Sequence, residues 1–116
     1  MGYPRGLRLF RTLGLVLCLP GFTITGAAAG EVSLGVAANF TDTTRELAQQ
    51  FESVTGHTVS ASFGSTGKLY AQIRNGAPFD VFMAADVRRP ALIEQEQAGI
   101  SGTRFTYARG KLALWS

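Results

Sequence analysis

The chain has 116 residues and a formal charge of +3, from 11 Lys/Arg against 8 Asp/Glu, with one cysteine and one histidine. Arg5, Arg8 and Arg11 account for the whole excess, so residues 30–116 are neutral overall and imply neither a nucleic-acid surface nor a polybasic membrane patch. Cys18 lies in the leading apolar stretch, which leaves the rest without a disulfide, a thiolate nucleophile or a Cys metal site.

The first 29 residues read as an export signal. Arg5, Arg8 and Arg11 form a basic n-region, Leu13 to Pro20 an apolar h-region, and Ala27-Ala28-Ala29 a small-residue cleavage site, with the cut expected before Gly30. The apolar run is shorter than the roughly 20 residues needed to span a bilayer. Lipidation at Cys18 is disfavoured because Leu17 stands where a small residue belongs. The mature protein, residues 30–116, is expected to be soluble and periplasmic.

Val32 to Ala38 is a small apolar run of the kind that forms a buried parallel strand. From Phe40 the period changes: Phe40, Thr44, Leu47, Ala48, Phe51 and Val54 share one helix face, and Gly56 is placed to stop the helix. Thr58 to Phe63 alternates as a strand, broken by Gly64-Ser65-Thr66-Gly67. A short helix through Leu69, Tyr70 and Ile73 ends at Asn75-Gly76 before Pro78. Phe79 to Ala84 reads as a third strand. A third helix follows with Pro90 in its first turn and Gly99 past its end. Ile100 to Tyr107 reads as loop with a short extended piece, and Leu112 to Trp115 as a fourth strand that stops without a cap, as if the chain were interrupted. Phe105, Tyr107 and Trp115 read as core or hinge packing. The alternation predicts an α/β domain with a mostly parallel sheet, its strand-to-helix turns gathered at the carboxyl edge where such sheets bind ligands.

Two of those turns carry the chemistry, Ala37-Ala38-Asn39-Phe40-Thr41 and Phe63-Gly64-Ser65-Thr66-Gly67. Each sets small residues and short polar side chains where a helix begins, so main-chain N–H groups, a positive dipole end and the donors of Asn39, Ser65 and Thr66 converge on an anion. The plainer alternative is that Asn39 or Thr41 caps one helix and Ser65 or Thr66 the other. Gly64 to Lys68 imitates the end of a P-loop, but the first motif glycine falls at Ser62 and Leu69 stands where Ser or Thr should hold Mg²⁺. His57 reads as a surface loop residue with no second ligand near it. Asp80 is expected to open the third strand and Asp86 to cap the Pro90 helix or hold a hinge. Asn39-Phe40-Thr41 also fits a glycosylation sequon, which a bacterial-type export signal makes idle.

Val36-Ala37-Ala38-Asn39-Phe40-Thr41, Phe63-Gly64-Ser65-Thr66-Gly67, Gln72 through Phe82 and Ala84-Ala85-Asp86, in that order and spacing, resemble the periplasmic molybdate-binding proteins of ABC transporters. The likeness extends through Phe105-Thr106-Tyr107-Ala108 and Gly110 to Ser116. It implies a periplasmic-binding-protein-like lobe whose second lobe lies outside this chain. It also implies a cleft that holds molybdate or tungstate through neutral donors and hands it to a permease in the inner membrane. The resemblance places Asn39 as the first-loop donor, Ser65 or Thr66 as the second, and Ala38 and Gly64 beside them. Molybdenum would enter only as its oxyanion through Asn39, Ser65 and Thr66, with no direct metal ligand. Neither a cofactor nor an enzymatic activity is expected, and the protein is expected to act as a monomer. Two other accounts compete: a binder of sulfate, phosphate or a polyol, and a small exported phosphate hydrolase using Asp80 or Asp86. The hydrolase would need a general base or metal ligands that the segment does not offer.

Overall fold

The computed structural model describes residues 28–115. The basic and apolar parts of the expected export signal lie outside the described residues. Among the described residues, three parallel strands, β1 (Glu31–Ala37), β2 (Thr58–Gly64) and β3 (Val81–Met83), form one sheet in the order β2-β1-β3. Helix α1 (Thr41–Thr55) joins β1 to β2, α2 (Thr66–Arg74) joins β2 to β3, and α3 (Arg88–Gln95) follows β3. The expected α/β class and parallel sheet are what the chain forms.

With β1 in the centre, the two connections run in opposite directions across the sheet, and right-handed crossovers then put α1 and α2 on opposite faces. The packing agrees. Leu47, Ala48 and Phe51 of α1 share a groove with Val32, Leu34, Val59 and Met83. Alternate residues of the central strand face α2, where a Cβ on Gly35 would meet the Phe79 ring at 2.9 Å. The fully buried core is small: Val36, Ala37, Leu69, Ala84 and Ile93. The apolar face of α1 is only partly covered, with Leu47 at 50% and Phe51 at 41% exposure, so the periodicity that shaped the helix exceeds what this sheet buries.

Gly56 ends α1 as expected, at φ 72° with its N–H on the Glu52 carbonyl at 2.9 Å. The stop for α3 differs. Gln97, at φ 57°, takes the left-handed position, and Gly99 instead allows close approach, since a Cβ there would lie 3.0 Å from Ile93. His57 is half-buried: its Nδ1 accepts the Gly30 N–H at 2.8 Å and its ring stacks on Phe51. It fastens the start of β1 to the end of α1, a tighter role than a loose surface residue.

Three expectations need correcting. β1 ends at Ala37 because Ala38–Phe40 already turns as a 3₁₀ helix ahead of α1. β3 is shorter than Phe79–Ala84, since Asp80 pairs with β1 partly through its side chain: its N–H donates to the Ser33 carbonyl and its carboxylate accepts the Ser33 N–H, both at 2.8 Å. Leu112–Trp115 is not a strand. Among the described residues it has no ladder partner, and its apolar side chains stand in the open, as does Phe105. Apolar alternation supplies the side chains of a strand but not the neighbour whose N–H and C=O groups define one.

Candidate functional site

The last registered pair of β1 and β2 is Ala37 opposite Gly64. The two turns singled out in the sequence therefore leave adjacent strands at the same level of the carboxyl edge, and whatever one presents lies beside what the other presents.

After β1 the chain makes the 3₁₀ turn Ala38–Phe40, with Ala38 and Asn39 exposed. No side chain caps this turn or α1. Thr41 Oγ1 donates backwards to the Ala38 carbonyl at 2.8 Å, and Thr44 Oγ1 to the Phe40 carbonyl at 2.7 Å. The capping alternative for Asn39 and Thr41 is thus not what the chain does. Among the described residues the Asn39 amide has no hydrogen-bond partner.

At the second turn the Ser65 and Thr66 side chains part company. Ser65 is the N-cap of α2: its Oγ accepts the Lys68 N–H at 3.2 Å, and the residue is exposed. A hydroxyl that accepts through one lone pair keeps its proton to donate, so capping and presenting O–H to a ligand coexist in Ser65. Thr66 is buried, and its Oγ1 accepts the Ala85 N–H at 3.1 Å. It ties the first turn of α2 to the chain leaving β3. Gly64 is half-buried at the end of β2. Gly67 leaves room for the Arg89 guanidinium, whose Nη2 would lie 3.3 Å from a Cβ there, so this glycine serves packing of α3 on α2.

Tyr107 reaches the same edge from the C-terminal segment. Its O–H donates to the Ala84 carbonyl at 2.9 Å, and its ring meets Phe40 edge-on at 5.2 Å. Burial pushes its phenol above the ordinary tyrosine value. The residue after Asn39 is thereby clamped to the end of β3, a link no local sequence signal reveals because it depends on the path of residues 96–106.

The carboxylates near this edge are engaged. Asp86 accepts the Arg89 N–H at 2.8 Å and pairs with its guanidinium at 2.6 Å. The Arg89 main-chain N–H, then the guanidinium, hold its carboxyl below the usual range. The N-cap residue of α3 is Val87, which makes no side-chain cap bond; Asp86, one residue earlier, accepts the Arg89 N–H from outside the cap position that was expected of it. Asp80 is tied to Ser33. Among the described residues no three His, Cys, Asp or Glu side chains converge. A groove of about 550 Å³ between α2 and β2 touches this edge only through Gly64, Lys68 and Leu69 and does not include the Ser65 hydroxyl or Asn39.

Asn39 and Ser65, both exposed and uncharged, thus stand just beyond two neighbouring strand ends. The family model described as bacterial extracellular solute-binding protein matches residues 32–116. The chain belongs to that family. As a solute-binding protein it is similar to the molybdate-binding protein ModA of Azotobacter vinelandii, 54% identical over 96 residues that cover 83% of this chain and 38% of that one. It is similar also to ModA of Rhodobacter capsulatus, 49% identical with 98% of this chain and 44% of that one covered. The solved structure of the Azotobacter vinelandii periplasmic molybdate-binding protein superposes with a TM-score of 0.64 at 45% identity, over 66% of this chain and 33% of that one. The chain thus spans about two-fifths of the curated relatives' length, as a partial lobe of the periplasmic-binding-protein type. Both curated relatives carry the name of a molybdate-binding protein.

Proposed function

We propose that this chain is the N-terminal part of a periplasmic protein that captures molybdate, and tungstate with it, and delivers it to an ABC-transporter permease in the inner membrane. Residues 1–29 act as the export signal, and the mature lobe begins at Gly30. The observation that carries the reading is the placement of two unspent donors, the Asn39 amide and the Ser65 hydroxyl, beyond the paired residues Ala37 and Gly64. Relatives named for molybdate binding support the choice of ligand.

A tetrahedral dianion in a cleft keeps its charge if N–H and O–H dipoles replace its water. Bonds to a charged acceptor are shorter and roughly twice as strong as neutral ones. Ser65 and Asn39 are the side-chain donors, and the N–H groups beside Ala38 and Gly64, with the open N-terminus of α2, supply the rest. Thr66 holds the second turn rigid from behind. Donors fixed on two strand ends set the size of the space between them, which favours a large oxyanion over sulfate. The opposite wall of the cleft comes from the part of the protein that corresponds to the remaining length of the relatives.

Calorimetric titration of the full-length protein tests this. Molybdate and tungstate should bind tightly, sulfate and phosphate weakly, and Ser65→Ala should weaken the first pair. Tight sulfate or phosphate binding with no response to molybdate would sink the assignment.

A further inference from the structure

Among the described residues β2 is an edge strand, and its sequence is the kind that invites strand addition. Thr58–Gly64 has no charge and no proline, and it carries two β-branched residues, Thr58 and Val59, and the aromatic Phe63. The Thr58 N–H donates to the Gly30 carbonyl at 3.0 Å, towards β1. Alternation along the strand then turns the N–H and C=O groups of Val59, Ala61 and Phe63 to the free side.

The first of these outward groups is already taken. Glu52, on the last turns of α1, reaches across and accepts the Val59 N–H through Oε1 at 2.7 Å, in a part-buried position. At the other end of the edge the Arg45 guanidinium, also from α1, lies over the Phe63 ring at 5.4 Å. One helix therefore sets a charged side chain at each end of the free edge. The carboxylate sits where an incoming strand would place its carbonyl oxygen, so a second strand would have to displace it and bring its own oxygen against a negative charge.

The geometry points to the β2 edge as a latent pairing surface for a second copy of this chain, held shut by Glu52. The occupant is β2 of another molecule because the strand's apolar alternation, Val59, Ala61 and Phe63, matches itself across such a pair. Glu52 is a guard residue here, remote from the anion site, and its removal leaves donors at Asn39 and Ser65 untouched.

The test compares full-length wild-type protein with Glu52→Ala by light scattering coupled to gel filtration over a range of concentrations, and by amide hydrogen exchange. Wild type should remain monomeric. The variant should shift towards dimer mass as concentration rises, with exchange at Ala61 and Phe63 slowing in step. A folded variant that stays monomeric overturns the proposal. So does association that leaves the Ala61 and Phe63 amides unprotected, since the exposed face of α1 would then be the surface used. Should Glu52→Ala fail to fold, Glu52→Ser, whose hydroxyl is too short to reach Val59, is judged on the same two readings.

Discussion

Replacing Thr66 by valine keeps the shape of the side chain and deletes the hydroxyl that accepts the Ala85 N–H at 3.1 Å. Because Thr66 is only 8% exposed, water does not readily take the hydroxyl's place, and an unsatisfied donor of this kind costs about 1–2 kcal/mol. At the relatives' larger size each kcal/mol moves Tm by roughly 2–4 °C, so Thr66→Val should melt roughly 2–8 °C lower. Ser65→Ala acts on both sides of the same turn. Loss of the cap costs about 1 kcal/mol of stability, and loss of a hydrogen bond to a charged ligand about 1.5–3 kcal/mol of binding. The second figure is roughly a 10- to 150-fold rise in Kd for molybdate. Thermal unfolding without ligand and calorimetry with molybdate, run on both variants, separate the roles. A Thr66→Val protein with an unchanged Tm and a tenfold or greater loss of affinity, beside a Ser65→Ala protein that binds normally, would refute the division of labour between brace and donor.

Tyr107→Phe removes the bond to the Ala84 carbonyl and should cost about 1 kcal/mol in denaturant unfolding. The wild-type Tyr107 phenol is raised in the folded state, so its contribution is complete below the unfolded tyrosine value and is lost as pH rises through the folded one; this alkaline decline should vanish in Tyr107→Phe. Asp86 is lowered when folded, so its contribution is present above the unfolded carboxylate value and is lost as pH falls through the folded one. Asp86→Asn should flatten the acid limb of a Tm-against-pH curve. Gly35→Ala places a Cβ 2.9 Å from the Phe79 ring, and overpacking there should destabilise by about 1–3 kcal/mol in the same denaturant assay.

Much of the frame was legible in the sequence because it depends on local chemistry. Gly56 stops α1 by a conformation glycine adopts freely, and the alternation from Thr58 to Phe63 became β2. Asp86 accepts the Arg89 N–H at the start of α3, as a short carboxylate just before a helix does. The two strand-to-helix turns were legible for the same reason, since each is a strand end followed at once by a helix start. What escaped depends on distant partners. Nothing local separates Ser65 from Thr66; the difference is burial, since Thr66 is packed against Ala85, brought alongside by β3, while Ser65 stays exposed. Leu112–Trp115 has the composition of a strand and no neighbour to pair with, and the shortened β3 reflects an aspartate whose side chain substitutes for main chain.

The Tyr107 clamp gives the segment after α3 a thermodynamic interest in the anion. Tyr107 reaches Phe40 next to Asn39, and Arg104 and Gly102 hold on to Glu94; between them these contacts seat the segment against the carboxyl edge. Coupling between two such equilibria is reciprocal. If seating Tyr107 steadies the Asn39 turn and so favours the bound anion, the bound anion must favour the seated segment by the same factor. Cleavage after Arg104, Arg109 or Lys111 by trypsin would then slow when the cleft is filled, making the rate of proteolysis at these exposed bonds a reporter of occupancy at a site none of them touches.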